Sequence, residues 1–242
     1  MPSLSLSPSF IFSLNFNFSL GLSLSPSLWQ VDETTLYSAL CTLVPCIVFL
    51  LVKQKVAAVF RGKKALVHAA LVVVFAVYCW QVYDVTGAGD LGNLLRAFQN
   101  GIAAPLYRGT YNLIPFHQVT EGFWLNVLMC VPLGFLLPLI WKGYRRLWVS
   151  ALTGASFSLL IELSQLVTVR ATDVDDLIAN TGGTVAGYLV WRAFSRLFGV
   201  RARTTAGGLR EAASFIGVSF AGRFLLYDPT WFSQYVAPLL FG

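Results

Sequence analysis

The sequence predicts an all-α integral membrane protein, and three observations carry that prediction. Hydrophobic residues make up 56% of the 242-residue chain and charged residues only 12%, a balance outside the usual range of soluble domains. Mean hydropathy is +0.68. The apolar residues gather into five runs, at about 35–52, 65–83, 122–141, 146–168 and 174–194. Each is near the length needed to cross roughly 30 Å of hydrocarbon at about 1.5 Å per helical residue. Residues 1–30 read as a low-complexity, disordered segment, 31–200 as the transmembrane domain, and 201–242 as a C-terminal tail.

Residues 1–28 carry no charged side chain, and from Phe10 to Leu24 every even position is apolar. That period of two fits a strand, but nothing else in the chain offers it a partner. A secretory signal would bring positive charge near its start. The five apolar runs follow. Between the second and third, Leu91, Leu94, Leu95, Phe98 and Ile102 recur at helical spacing among polar residues, which predicts a helix lying in the membrane interface. After Arg210, residues 212–226 are apolar but include Arg223. They fit a sixth span or a surface helix. The four cysteines, Cys41, Cys46, Cys79 and Cys130, all fall within apolar runs and read as small packing residues rather than metal ligands.

The connections sort by charge. Thirteen of the 17 basic residues occupy one alternate set: Lys53 to Lys64, Lys142 to Arg146, and Arg192 to Arg210. The other set holds Asp32, Glu33, Asp84, Asp90, Glu121, Asp173, Asp175 and Asp176, with only Arg96, Arg108 and Arg170. By the positive-inside rule the acidic set faces outward. The net charge of +6 therefore reflects membrane orientation, and no nucleic-acid partner is expected.

Polar residues concentrate around the last two runs. Glu162 lies eight residues before Arg170, roughly 12 Å inside the outer boundary at 1.5 Å per residue. An acidic residue at mid-span costs about 2.5–3.5 kcal/mol on insertion scales, so such residues tend to be paired or functional. Ser158, Glu162 and Gln165 share one helix face, as do Asp173, Asp176, Asn180, Gly183 and Gly187 on the next helix. Gly183 and Gly187 form a small-xxx-small surface for close packing, and a hairpin of the two helices brings the faces together. Thr172 with Asp175 fits the capping-box pattern, which accounts for one or two of the carboxylates. Asp173, Asp175 and Asp176 lack the spacing and glycine of a calcium loop, and no Cys–His zinc pattern is present, so no metal or other cofactor is expected. His117, in "YNLIPFHQV", reads as a general base or an interfacial residue, while His68 reads as a packing residue. Asn112 and Asn126 lie near the same boundary.

Taken together, "NLIPF" at 112–116, "NVLMCVPLGFLLP" at 126–138, "IELSQL" at 161–166 and "RATDVDDLIANTGGTVAGY" at 170–188 resemble the VanZ-like family, over roughly residues 65–195. The resemblance implies a small multi-helix protein of the bacterial cytoplasmic membrane. The family's founding member is linked to low-level teicoplanin resistance without altered peptidoglycan precursors. The matched motif positions are Asn112, Pro115, Phe116, Asn126, Pro132, Gly134, Glu162, Gln165, Arg170, Asp173, Asp175, Asp176, Asn180 and Gly183. The expectation is a non-catalytic envelope protein whose outward cluster meets a membrane lipid or a lipid-linked envelope molecule. In it Glu162, Asp175 and Asp176 supply charge, and Asn112, Asn126 and Asn180 supply hydrogen bonds. Two alternatives stay open: an enzyme on a lipid-linked substrate, with a carboxylate or His117 as base, and a structural membrane subunit. The oligomeric state is not legible.

Overall fold

A computed structural model of the chain describes residues 33–56, 63–99, 111–112, 114–116, 121–166, 168, 172–199 and 208–241. The low-complexity segment at 1–30, His117 and Arg170 lie outside the described residues. The protein is an all-helical membrane protein. Its helices are α1 (Glu33–Val56), α2 (Lys63–Thr86), α3 (Leu91–Gln99), α4 (Glu121–Ile140), α5 (Leu147–Gln165), α6 (Val174–Leu197) and α7 (Leu209–Leu226). After Asp228 follow α8 (Pro229–Trp231), a π turn (Phe232–Val236) and α9 (Ala237–Phe241). A two-residue parallel bridge joins β1 (Tyr111–Asn112) to β2 (Thr172–Asp173), pairing Tyr111 with Thr172 and Asn112 with Asp173.

Four described segments are long and apolar enough to cross a bilayer: Glu33–Lys53, Leu66–Gln99, Glu121–Ile140 and Leu147–Gln165. The fifth expected span forms as a helix at its expected place, but it is not among those four. Its Asn, Thr and Gly residues, placed where it meets other helices, dilute its apolar character. The expected interfacial helix is α3, with Leu95 and Phe98 more than half exposed.

Large apolar side chains remain exposed along the long helices, among them Leu40, Val48, Val74, Leu128, Leu152 and Leu163. In water such a surface would drive association; against lipid it is the favoured face. Inside, Val72, Phe75 and Tyr83 of α2 pack with Leu133 and Leu137 of α4, Trp141, Phe157 of α5 and Phe215 of α7. Phe75 meets the Trp141 ring edge-on at 5.1 Å between centroids.

Helix α7 packs along α1 and α2. Pro45 has no N–H, so it leaves the carbonyl four residues back, on Cys41, without its helical donor. Gly222 of α7 sits against that carbonyl and the Pro45 ring, where a Cβ would collide. At the end of the bundle bearing Lys53 and His68, Glu211 of α7 gathers three neighbours. Its Oε1 lies 3.3 Å from His68 Nε2 and 3.8 Å from Lys53 Nζ, and its Oε2 accepts from Trp141 Nε1 at 3.2 Å. One carboxylate thus ties α1, α2 and the end of α4 to α7. The opposite end of the bundle carries the acidic residues.

Candidate functional site at the acidic end of the bundle

The site is built on the first turn of α6. Asp173 is the N-cap, with extended backbone (φ −121°, ψ 127°), and its side chain accepts from the Asp175 N–H at 2.8 Å. This corrects the expected Thr172–Asp175 capping box. Thr172 is held in the bridge to Tyr111, so the helix starts one residue later. Asp175 and Asp176 then occupy the positive end of the helix dipole, and successive helical positions point about 100° apart. They serve different neighbours as a result. Asp175, 3% exposed, accepts from the Phe116 N–H at 2.5 Å through Oδ1. Asp176, partly exposed, accepts from Asn126 Nδ2 on α4, also at 2.5 Å.

Below that pair the polar contacts continue into the bundle. Asn180 is 4% exposed; its Nδ2 donates to Ser158 Oγ of α5 at 2.9 Å, and its Oδ1 accepts from Cys130 Sγ of α4 at 3.3 Å. Asn126 with Asp176 and Cys130 with Asn180 stand at the same sequence offset of 50. Gly134 continues the series, for a Cβ there would strike the Thr184 carbonyl. Rows of residues spaced by four on two parallel helices therefore face each other over two turns. Gly183 and Gly187 complete the contact, set against the Val127 and Val131 carbonyls of α4.

The glycine surface of α6 was expected to serve its hairpin with α5; it serves α4 instead. The α5 side of α6 is lined by Asn180 and Thr184. Thr184 fills the space beside Gly154, and Ser158, four residues on, meets Asn180, four residues back, as antiparallel neighbours require. Thr184 Oγ1 returns a 2.9 Å bond to the Asn180 carbonyl, so the α4–α5–α6 junction is polar but internally bonded.

Glu162 is buried, 6% exposed, one turn from Ser158 on the same face of α5. Gln165, also 6% exposed, donates to the Thr86 carbonyl at the end of α2 at 2.8 Å. Its hydrogen bond thus runs to the α2 terminus, where Ser164 Oγ also accepts from the Gly89 N–H at 3.0 Å. Asn112 is brought beside Asp173 by backbone pairing. The structure therefore assembles Asn112, Asn126, Asp173, Asp175, Asp176 and Asn180, and leaves Gln165 tying α5 to α2. Cys130, expected only as a small packing residue, donates to Asn180, and the Phe116 N–H, to which no role was assigned, meets Asp175. Cys130 was within reach, being four residues after Asn126 on the same helix face.

The groups that remain partly exposed are Asn126, Asp173 and Asp176. On the segment held by Asp175, Phe116 and Ile114 are 61% and 64% exposed, and the Phe116 ring lies 6.4 Å from the Phe123 ring of α4. A polar edge with carboxylates and an amide, rimmed by exposed apolar side chains, is suited to a molecule with a polar head and an apolar body. Among the described residues no three His, Cys, Asp or Glu side chains come together to hold a metal ion.

A second polar group lies at the same end and was not foreseen. Ser38 of α1 donates to Asp84 Oδ1 at 3.0 Å, Asp90 caps α3 through Asn93, and Arg96 grips Asp228 at 3.0 Å. Between them Arg223 of α7 is 4% exposed, stacked 3.6 Å from the Tyr227 ring centroid, with Nε and Nη1 buried and without an acceptor among the described residues.

No curated protein and no solved structure matches the chain. A family model described as VanZ/LLP1 matches residues 65–195, more than half of the 242 residues. That span takes in α3 to α5, nearly all of α2 and α6, and all of the assembled acidic cluster, and it agrees with the motif resemblance: the chain belongs to the VanZ/LLP1 family.

Proposed function

We propose that the protein is a bacterial envelope protein of the VanZ type, seated in the cytoplasmic membrane with its acidic end outward. There it holds the polar head of a lipid-linked or lipid-tailed molecule. The reading rests on one observation above all. The Asp176–Asn126 pair stays partly exposed where α4 and α6 touch backbone to backbone, and the exposed Phe116 ring, 6.4 Å from the Phe123 ring of α4, lies on the segment that Asp175 holds. The alternation of basic and acidic connections supports the orientation. Rigid helices present the edge, which suits recognition better than a loop. Inner polar groups such as Asn180 and Gln165 are already engaged by neighbours, so binding rather than turnover is the favoured activity.

Lipoglycopeptides such as teicoplanin, which carry a lipid tail, are the test ligand that family membership proposes. A susceptible Gram-positive host would express wild type, Glu162→Gln or Asp176→Asn at matched membrane levels, and the inhibitory concentrations of teicoplanin and vancomycin would be measured. The expected result is a rise for teicoplanin alone with wild type, lost in both variants. If inserted wild-type protein alters neither value, the lipoglycopeptide assignment is wrong.

A further inference from the structure

The connection between α4 and α5, residues 141–146, joins two segments fit to span the membrane, Glu121–Ile140 and Leu147–Gln165. So short a stretch between two spans lies at the depth of the lipid headgroups. Trp141 bonds Glu211 there, at the end of the bundle opposite the acidic site. The connection carries Lys142, Arg145 and Arg146, and Arg192 follows Trp191 on α6. Lys142, Arg146 and Arg192 are exposed. Arg145 is half-buried, and its Nε and Nη2 are shut from water with no hydrogen-bond partner.

Arg145 is placed by its backbone. Its N–H donates to the Lys142 carbonyl at 3.2 Å, closing a 3-10 turn (Lys142–Tyr144), and its carbonyl accepts from the Tyr188 hydroxyl of α6 at 2.6 Å. The guanidinium lies over the Trp191 ring, 5.9 Å from its centroid, which is within cation–π range. Among the described residues no carboxylate is at ion-pair distance from it. Nε and Nη2 form the edge of a guanidinium that takes two oxygens side by side. An edge buried without acceptors is a cost in the free protein, one that the exposed cations do not carry.

We propose that Arg145 grips the phosphate of an anionic phospholipid, with the exposed Lys142, Arg146 and Arg192 supplying a positive field for the net charge of the head. Turning the Nε–Nη2 edge from the Trp191 ring towards the headgroup layer gives it two phosphate oxygens, so binding supplies both missing acceptors. The exposed cations are already hydrated and gain only screened attraction. A carboxylate matches the same edge, but at headgroup depth the paired oxygens are those of phosphate. Lysine at this position would keep the charge and lose the fork, which separates a site at Arg145 from the general attraction of a basic membrane face. The acidic end of the bundle takes no part in it, so the two readings stand or fall separately.

The test is native mass spectrometry of the full chain in detergent, titrated with phosphatidylglycerol or phosphatidylcholine, for wild type, Arg145→Lys and Arg192→Lys. Wild type is expected to hold phosphatidylglycerol more tightly than phosphatidylcholine. Arg145→Lys is expected to weaken phosphatidylglycerol binding by about tenfold, the size of one charge-assisted hydrogen bond. Arg192→Lys, which keeps an exposed charge, is expected to stay within about twofold of wild type. No loss in Arg145→Lys, or an equal loss in both variants, overturns the proposal, since a basic face alone would then account for binding. Equal wild-type affinity for the two lipids overturns it as well. Millimolar inorganic phosphate is expected to leave the lipid in place; displacement would assign the edge to a soluble phosphate and overturn the lipid occupant. Should Arg145→Lys fail to fold, the wild-type lipid preference and the phosphate competition still decide.

Discussion

Gly182 and Gly183 are neighbours on α6 with opposite expectations for the same substitution. A Cβ on Gly183 would run into the Val127 carbonyl of α4, with Cys130 Cβ at 3.0 Å, whereas a Cβ on Gly182 meets nothing within 4 Å. The obstacle at Gly183 is backbone, so Ala there is accommodated only by moving α4 away from α6. Overpacking of this kind costs about 1–3 kcal/mol. At Gly182 the same change only improves helix propensity, worth about 0.5–1 kcal/mol of added stability. For a chain of this size 1 kcal/mol moves Tm by about 2–4 °C. Gly183→Ala is therefore expected to lower Tm in detergent by about 2–12 °C, while Gly182→Ala leaves it unchanged or raises it by a few degrees. Gly183→Ala as stable as Gly182→Ala would mean that α4 and α6 do not meet through their backbones.

Three further outcomes follow from particular contacts. In a double-mutant cycle on Asn126→Ala and Asp176→Ala, unfolding in detergent should give a coupling of about 1–2 kcal/mol, the range for a hydrogen bond to a partly exposed charge; additive effects would sever the pair. Arg223→Met should lower the unfolding temperature, because it takes away the buried cation that Asp84, Asp90 and the Tyr227 ring face; unfolding at or above the wild-type temperature would show that the guanidinium, whose Nε and Nη1 have no acceptor among the described residues, is uncompensated. Asp228 is pushed up by burial, but the Trp231 N–H, the Arg96 guanidinium and the Thr230 N–H outweigh this and hold its carboxyl below its ordinary value. Its contribution is then fully present above the unfolded pKa of about 3.9 and is lost as pH falls through the lower folded value. Asp228→Asn should flatten the acid limb of a stability–pH curve below about pH 4, and an unchanged limb would contradict the Arg96–Asp228 bond.

The helices were legible because each announces itself locally. Runs such as 35–52 and 65–83 are apolar for the width of a bilayer, and the helices found there, Glu33–Val56 and Lys63–Thr86, overrun those limits by a few residues. Leu91, Leu94, Leu95 and Phe98 gave α3 by their spacing. Partner choice is different, since it depends on residues far apart in the chain. The Gly183–Gly187 stripe states that some backbone comes close, but not which one. Sequence order favours α5, the hairpin neighbour, while the structure seats α4 there. Arg223 illustrates the same limit. One basic residue in an apolar run is ambiguous until Asp84, Asp90 and Tyr227 are brought around it from other elements.

The acidic site was half legible for the same reason, and the unread half changes what the site can do. Composition and spacing picked out Asp173, Asp175 and Asp176 as a group, which invites a reading in which three carboxylates act together. Helical geometry denies this. Asp173 turns back to cap its own helix, Asp175 turns to the Phe116 N–H, and Asp176 turns to Asn126. In these bonds the three acids meet different partners: Asp173 starts α6, Asp175 holds the Phe116 N–H, and Asp176 meets Asn126 at the α4–α6 seam. A divalent cation needs several oxygens converging on one point, and these diverge. The proposed head-and-tail ligand would therefore meet these acids singly, not as one cluster of carboxylates.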